Sequence, residues 1–382
     1  MRGTGPQSTT PFCDIATASG WLNEWLRTYA LPLWWRAGAD HARGGFHESL
    51  SAHGAALDLP RRVRVQARQI YVFARVGVCG WPGPWREAIR HGVDFLLEKY
   101  QRYDGRFRTL VSADGALLDD SATLYDQAFV LLALAALHRA QPGFADAERR
   151  ANLLRDALQD CRHAVGGFRE VNPNPFQSNA HMHLLESALA WIEAGGGSVW
   201  HELAAEIVDL ALQRFVDAEG GFIREFFDEH WQPMRCTRGR RVEPGHQFEW
   251  AGLLQRWGRN GHAAAGAAAE RLFNAGLRGI DPRRGVVVDA MDDDFRLVET
   301  SARLWPQAEY LKAALILGND VGRTHIVPAA LTLARYFDTP TMGVWRDTMH
   351  DDGTFLDGAA PASSLYHIVS AITEFNEDTS NS

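Results

Sequence analysis

A glycine followed at once, or one residue later, by a large apolar residue recurs six times: Gly45-Phe46, Gly105 with Phe107, Gly167-Phe168, Gly221-Phe222, Gly285 with Val287 and Gly343 with Trp345. The interval is roughly 60 residues, and at that period the copies fill the chain from end to end. Such a chain repeats one supersecondary unit. The prior of roughly 150 residues per domain, which would divide 382 residues into two or three domains, therefore gives way to one catalytic domain over 1–382. Only the ends, 1–12 and 377–382, are expected to be flexible.

Between consecutive turns the apolar spacing is helical, in two segments per repeat, as in "RRVRVQARQIYVFARVGV" then "PWREAIRHGVDFLLEKY". About twelve helices result, paired six times, which points to an all-α (α/α)6 barrel of six inner and six outer helices. A linear solenoid of stacked helix pairs is the rival. Closure is favoured because segments such as "LYDQAFVLLALAAL" and "SLYHIVSAITEF" are apolar nearly all round, as inner helices must be, and because the unit is longer than usual solenoid repeats. The turns carry β-like pieces such as "GGFIREFFDEHW", expected to form short hairpins at one end of the barrel.

Composition narrows the function. The net charge of -8 comes without a basic run or stripe, which argues against nucleic acid and anionic membranes as partners. A neutral or polar small molecule fits better. The opening MRGTGPQSTTPF lacks the apolar core of a signal peptide and no apolar run approaches a membrane span, so a cytoplasmic location is expected. Cys13, Cys79, Cys161 and Cys236 are scattered, as reduced thiols would be. Thirteen Trp and 15 His suit a pocket that stacks against a sugar. Monomer and homodimer are both open.

If inner-helix N-termini converge on the axis, chemistry should collect there. The starts of these segments carry Arg64, Gln66 and Arg68; Tyr125, Asp126 and Gln127; Asn179, His183 and Glu186; His246 and Glu249; Arg303, Trp305, Gln307 and Glu309; and Tyr366 with His367. Arg68, Asp126, His183, His246, Glu309 and His367 lie between 16 and 25 residues after their repeat glycines, which reads as one register. Buried polar groups cost roughly 1 to 3 kcal/mol each unless paired, so this concentration implies a site.

His183 with Glu186, and His246 with Glu249, stand three apart, and each carboxylate is expected to face its imidazole and raise its pKa toward neutrality for general acid/base work. Arg68 and Arg64, one helical turn apart, are candidates to hold sugar oxygens. Trp305, Trp345, Phe46, Phe107 and Phe168 are available as stacking walls, and Arg61, Arg62 and Arg64 could approach a phosphate. A metal site from His181, His183, His246 and His367 is disfavoured, since His181 and His183 point about 200° apart on a helix and no compact HxxxH or carboxylate-rich ligand cluster is present. No metal and no cofactor is expected.

Five stretches in order, "RVRVQARQIYVFA", "NPFQSNAHMHLLESALAW", "EPGHQFEWAGLL", "RLWPQAEYLKAA" and "PASSLYHIVSAI", resemble the N-acylglucosamine 2-epimerase family, most of all its D-mannose isomerase branch. The resemblance covers nearly the whole chain. It implies an (α/α)6 barrel that interconverts free sugars through a cis-enediol without metal, redox cofactor or phosphate. It assigns His246 and His367 as the acid/base pair, His183 and Arg68 to the oxygens at C1 and C2, and Glu186, Glu249 and Glu309 as the carboxylates. Ser187 stands where a small alanine is expected, a departure away from the chemistry. The expected substrate-binding set is Arg64, Asn179, Glu186, Trp305, Gln307, Glu309, Tyr125, Asp126, Phe46, Phe107 and Trp345.

The reading is thus a metal-independent aldose-ketose isomerase interconverting D-mannose and D-fructose. The alternative is a sugar 2-epimerase acting on N-acylglucosamine, or on cellobiose or glucose and mannose. Glycoside hydrolysis, which uses two carboxylates across the sugar, is a further rival on this type of barrel, though imidazoles dominate the axis here. A non-catalytic sugar-binding role is the remaining one.

Overall fold

The computed structural model describes residues 12–171 and 173–378. The first outer helix, α1 (Ile15–Glu24), runs through a π-helical turn into α2 (Leu31–Leu33). Then α3 (Val63–Val78), α5 (Leu124–Ala140), α7 (Ser178–Glu193), α9 (Pro244–Gly258), α11 (Leu304–Leu317) and α13 (Ala362–Asp378) alternate with α4 (Trp85–Lys99), α6 (Ala147–Ala157), α8 (Ser198–Leu210), α10 (Ala263–Leu277) and α12 (Asp320–Arg335). The odd-numbered helices from α3 pack each on the next, and α13 packs back on α3, so the ring closes and the solenoid is excluded. Of the expected flexible ends, 1–11 and 379–382 lie outside the described residues. Phe12 is buried beside Trp21 with ring centroids 5.9 Å apart, and α13 continues to Asp378.

All six repeat glycines have positive φ, from 67° at Gly285 to 96° at Gly343, the region open to residues without a Cβ. At Gly45 a Cβ would also lie 2.4 Å from Phe95 Cδ1. Beyond each glycine the chain is held by a side chain from the following inner helix. Gln66, Gln127, Gln247 and Gln307 each accept from the backbone N–H and donate to the backbone C=O of Phe46, Phe107, Ile223 and Val287, at 2.8 to 2.9 Å. In the third repeat His181 replaces glutamine: its Nε2 accepts from Phe168 N at 2.9 Å, and its Nδ1 lies 2.9 Å from Gln177 O. This occupation of both ring nitrogens removes His181 from any metal set. Leu365 holds the equivalent place in the sixth repeat.

The hairpins form a collar at the N-terminal ends of the inner helices. Two-residue strands just before those helices pair antiparallel with the next repeat, Arg61–Arg62 on Leu110–Val111, Arg241–Val242 on Met291–Asp292 and Ala302–Arg303 on Thr348–Met349. Ser49–Leu50 on Ala360–Pro361 joins the first repeat to the last.

Several expected substrate contacts belong to this scaffold instead. Gln307 is one of the hairpin-holding residues and is fully buried. The ring of Phe46 packs on Phe73 at 5.8 Å, Phe107 and Phe168 are buried in the core, and Trp345 stacks on Trp34 at 4.7 Å. Aromatic residues after the turns face the barrel wall because the held backbone turns them inward. Gln307→Leu is therefore expected to leave KM unchanged and to lower stability by about 1 to 3 kcal/mol for each polar group of Val287 left unpaired, read by urea denaturation.

Candidate active site

The hairpin-holding residues set the true register of the inner helices. Two positions after each come Arg68, Phe129, His183, Glu249, Glu309 and His367, and these six meet around the axis. The Arg68 guanidinium carbon lies 4.0 Å from the Phe129 ring centre, Phe129 and His183 centroids are 4.4 Å apart, His183 Nδ1 is 3.8 Å from Glu249 Oε1, and His367 Nδ1 is 2.6 Å from Glu309 Oε1. His246 does not belong to this ring. It sits one turn nearer the collar, three residues before Glu249, and Asp126 is likewise three before Phe129. The single register expected from sequence is thus two layers.

Above the ring, a pocket of about 510 Å³ is lined by Arg68, Tyr125, Asn179, His183, Glu225, Glu243, His246, Glu249, Asp289, Arg303, Trp305 and His367, with Gln177, Arg241, Glu299 and Ser364 at its edges. That volume falls in the range of sites for small ligands. Trp305 lies between two histidines, 5.1 Å from His246 and 5.6 Å from His367 by ring centroids. It is the one expected aromatic stacking wall that reaches the pocket.

All three site imidazoles are held through Nδ1. His183 pairs with Glu186 Oε2 at 3.1 Å, His246 with Glu225 Oε2 at 2.9 Å, and His367 with Glu309 at 2.6 Å, leaving each Nε2 as the pocket-side nitrogen. The expected His246–Glu249 pair does not form. A carboxylate three positions on points to the next layer, while Glu225 reaches His246 from the hairpin and Glu243 Oε2 lies 3.7 Å away.

Nor do all three rings gain basicity. Burial opposes a charge on His246, but Glu225 and Glu243 outweigh it and raise its pKa to about 9. Burial dominates at His183, whose pKa falls to about 4 despite Glu186. His367 lies well below the usual imidazole range through burial and the nearby charges of Arg68 and Lys312. The pocket thus holds one imidazolium and two neutral rings near pH 7.

Lys312 carries the floor. It is 6% exposed, and its Nζ is 2.6 Å from Glu309 Oε2. Burial works against its charge, yet Glu309, Glu186 and Glu249 hold its pKa above the ordinary lysine value. Glu186, opposed by burial but favoured by His183 and Lys312, falls to about 2 and accepts a hydrogen bond from the Tyr366 hydroxyl. Burial, then the charge of Glu309, pushes the Glu249 carboxyl well above its ordinary value.

Arg64 and Asp126, expected to bind substrate, satisfy each other instead: their ion pair is 2.8 Å long, and Thr109 Oγ1 donates to the other Asp126 oxygen at 2.8 Å. Arg61 is paired with Asp40 at 2.5 Å and Arg62 with Glu48 at 2.6 Å, so neither is a phosphate ligand. Polar atoms buried without partners gather where a polyol would supply them: Arg68 Nε, Asn179 Oδ1, Glu225 Oε1 and Glu249 Oε1. Sequence reasoning missed Glu225, Asp289 and Lys312. The first two had a signal: two residues after the held hairpin position stand Glu48, Glu170, Glu225, Asp289 and Asp347, with Thr109 the exception.

Three groups of imidazole and carboxylate atoms that could hold an ion do come within 4.8 Å at this site, centred on His183, His246 and His367. Their positive charge is supplied from within by Lys312, Arg68 and the His246 imidazolium, which leaves little for a cation to neutralise. The expectation that carboxylates would not cluster is nonetheless corrected.

The sequence profile of N-acylglucosamine 2-epimerase (GlcNAc 2-epimerase) matches residues 44–371. The chain belongs to the N-acylglucosamine 2-epimerase family. It is an isomerase in the broad sense that includes epimerases. A relative from Rhizobium meliloti (strain 1021), called mannose-6-phosphate isomerase, is 44% identical over 95% of this chain and 98% of its own. A D-mannose isomerase from Thermobifida fusca is 29% identical over 75% of each chain. The solved structure of a D-mannose isomerase superposes with a TM-score of 0.84 at 20% identity, covering 98% of this chain and 100% of that one, which shows the shared fold. Among the described residues no helix is long and apolar enough to cross a membrane.

Proposed function

We propose that this family member interconverts D-mannose and D-fructose through a cis-enediol, with its own side chains as the only acid/base groups. The observation that carries the proposal is the contrast between two histidines on either side of Trp305: His246 is charged, His367 is neutral, and both present Nε2 to a sugar-sized pocket. Environments that push two titratable groups apart separate acid from base.

In this reading the open-chain aldose lies between them. His367 Nε2 takes the proton from C2, the electron pair forms the C1=C2 bond, and His246 protonates the carbonyl oxygen at C1. The reverse polarity completes the transfer: the hydroxyl at C2 returns its proton to His246, and C1 takes the proton held by His367. Nothing is consumed. Arg68, with Nη2 committed to the Tyr125 hydroxyl at 2.9 Å and Nε unpartnered, supplies a fixed donor for a developing oxyanion, while neutral His183 binds a hydroxyl.

The pocket favours an unphosphorylated sugar. Its rim arginines are already neutralised: Arg303 Nε is 2.9 Å from Asp289, and Arg241 binds Glu299 with two nitrogens and Glu243 at 2.9 Å. A phosphate dianion would have to displace those carboxylates. Proton NMR of the protein with D-mannose and EDTA tests the reading, with D-mannose 6-phosphate in parallel. Fructose formation with the free sugar preferred is expected. Glucose as product would establish 2-epimerisation, an inert free sugar would overturn the proposal, and loss of activity with EDTA would overturn metal independence.

A further inference from the structure

A second cavity enters the barrel from the end opposite the collar. It reaches the surface beside Val78 and Arg139 and ends against Glu186, Glu249 and Lys312. At about 90 Å³, against about 510 Å³ for the front pocket, it is too narrow for a hexose and has room for several waters.

Glu249 is the one described residue that lines both spaces. It is 2% exposed, and its Oε1 has no hydrogen-bond partner. One helical turn further along α9, Gly252 leaves the shaft open directly behind it. A Cβ added there would meet only Ile316 Cδ1, at 3.1 Å. A sugar seated in the front pocket would fill that side of Glu249 and leave the rear shaft as its other opening.

We infer that the rear shaft is a water-filled proton port, and that the Glu249 carboxyl passes protons through it between bulk solvent and the bound enediol. The inference rests on the enediol reaction proposed above. His367 Nε2 first hands its substrate-derived proton to the enediolate oxygen, and the hydroxyl so formed gives that proton to one oxygen of Glu249 as the other oxygen releases its own proton to a rear water. The reverse transfer, run in D₂O, brings a deuteron to that hydroxyl. His367 Nε2 then takes the deuteron from that hydroxyl, which reverts to the enediolate oxygen, and delivers it to carbon. The carboxyl is neutral before and after, one proton leaves and one deuteron enters, and no charge stays buried. Burial and the charge of Glu309, which raise the Glu249 pKa, favour the neutral carboxyl from which this relay starts.

The test is deuterium incorporation per turnover, measured by NMR in D₂O at low conversion. Gly252→Leu fills the shaft without touching the pocket, and Ala190→Leu, on α7 one turn beyond Glu186, narrows it from the other wall. Both are expected to keep kcat/KM within about twofold and to lower deuterium per turnover roughly threefold or more. Turnover with an unchanged ratio in the two folded variants would overturn the port alone, as would a wild type that incorporates no deuterium. Absence of any turnover of mannose in the wild type would sink the reaction and the port together. If the product is the epimer, the same ratio is read at C2.

Discussion

His246→Ala is expected to lower kcat/KM for D-mannose by roughly 10²- to 10⁴-fold, the range for losing a positioned general acid, with the circular dichroism spectrum unchanged. The sharper form of the prediction concerns pH. Activity needs the imidazolium, so the wild-type profile should fall on the alkaline side as His246 loses its proton at about 9. Its acid side should stay flat below the ordinary imidazole pKa, because His367 resists protonation. Glu225→Gln removes the carboxylate hydrogen-bonded to His246 and should move the alkaline limb downward toward neutral pH. A limb that stays in place would refute the assignment of His246 as the acid. The raised pKa also stabilises the fold: the contribution is complete below pH ~6.5 and is lost as pH rises through about 9.

Lys312→Met is expected to cost about 3 to 5 kcal/mol of stability, the usual result of removing one member of a buried ionic cluster. The methionine would fill the space, but Glu309 and Glu186 would face each other across the floor without a cation. Repulsion of that kind is relieved by protonation. The deficit in urea denaturation should therefore be large at pH 8 and shrink toward pH 5, as the two carboxyls, with pKa values raised in the variant, take up protons. A deficit independent of pH would show that Lys312 matters for packing alone.

The barrel was legible because its evidence is periodic: turns needing positive φ at regular intervals, helical apolar spacing between them, and inner segments apolar all round. The pocket end was legible too, since polar residues collected where helix N-termini converge. The pairings inside it were less so. Helical spacing of three found His183–Glu186, whose partners share α7, but the partner of His246 comes from a hairpin and that of His367 from the neighbouring helix α11. Contacts across the barrel leave no trace in local spacing. Phe46, Phe107 and Trp345 misled for a related reason, because an aromatic residue after a turn suits a binding wall or a core equally until the backbone hydrogen bonds fix its direction. Nothing in "RLWPQAEYLKAA" marks Lys312 as buried, because its partners Glu186 and Glu249 come from other helices.

Closure of the ring through α13 on α3, sealed by Ser49–Leu50 on Ala360–Pro361, also has a meaning for biosynthesis. A chain emerging from a ribosome can stack its helix pairs one after another as far as α12. Until α13 follows, it lacks His367 and Tyr366, and the first inner helix has an uncovered flank. Catalytic competence should therefore arrive in one step, with the addition of α13. Nascent chains stalled before α13 would be inert and sticky, a load for chaperones rather than a partly working enzyme.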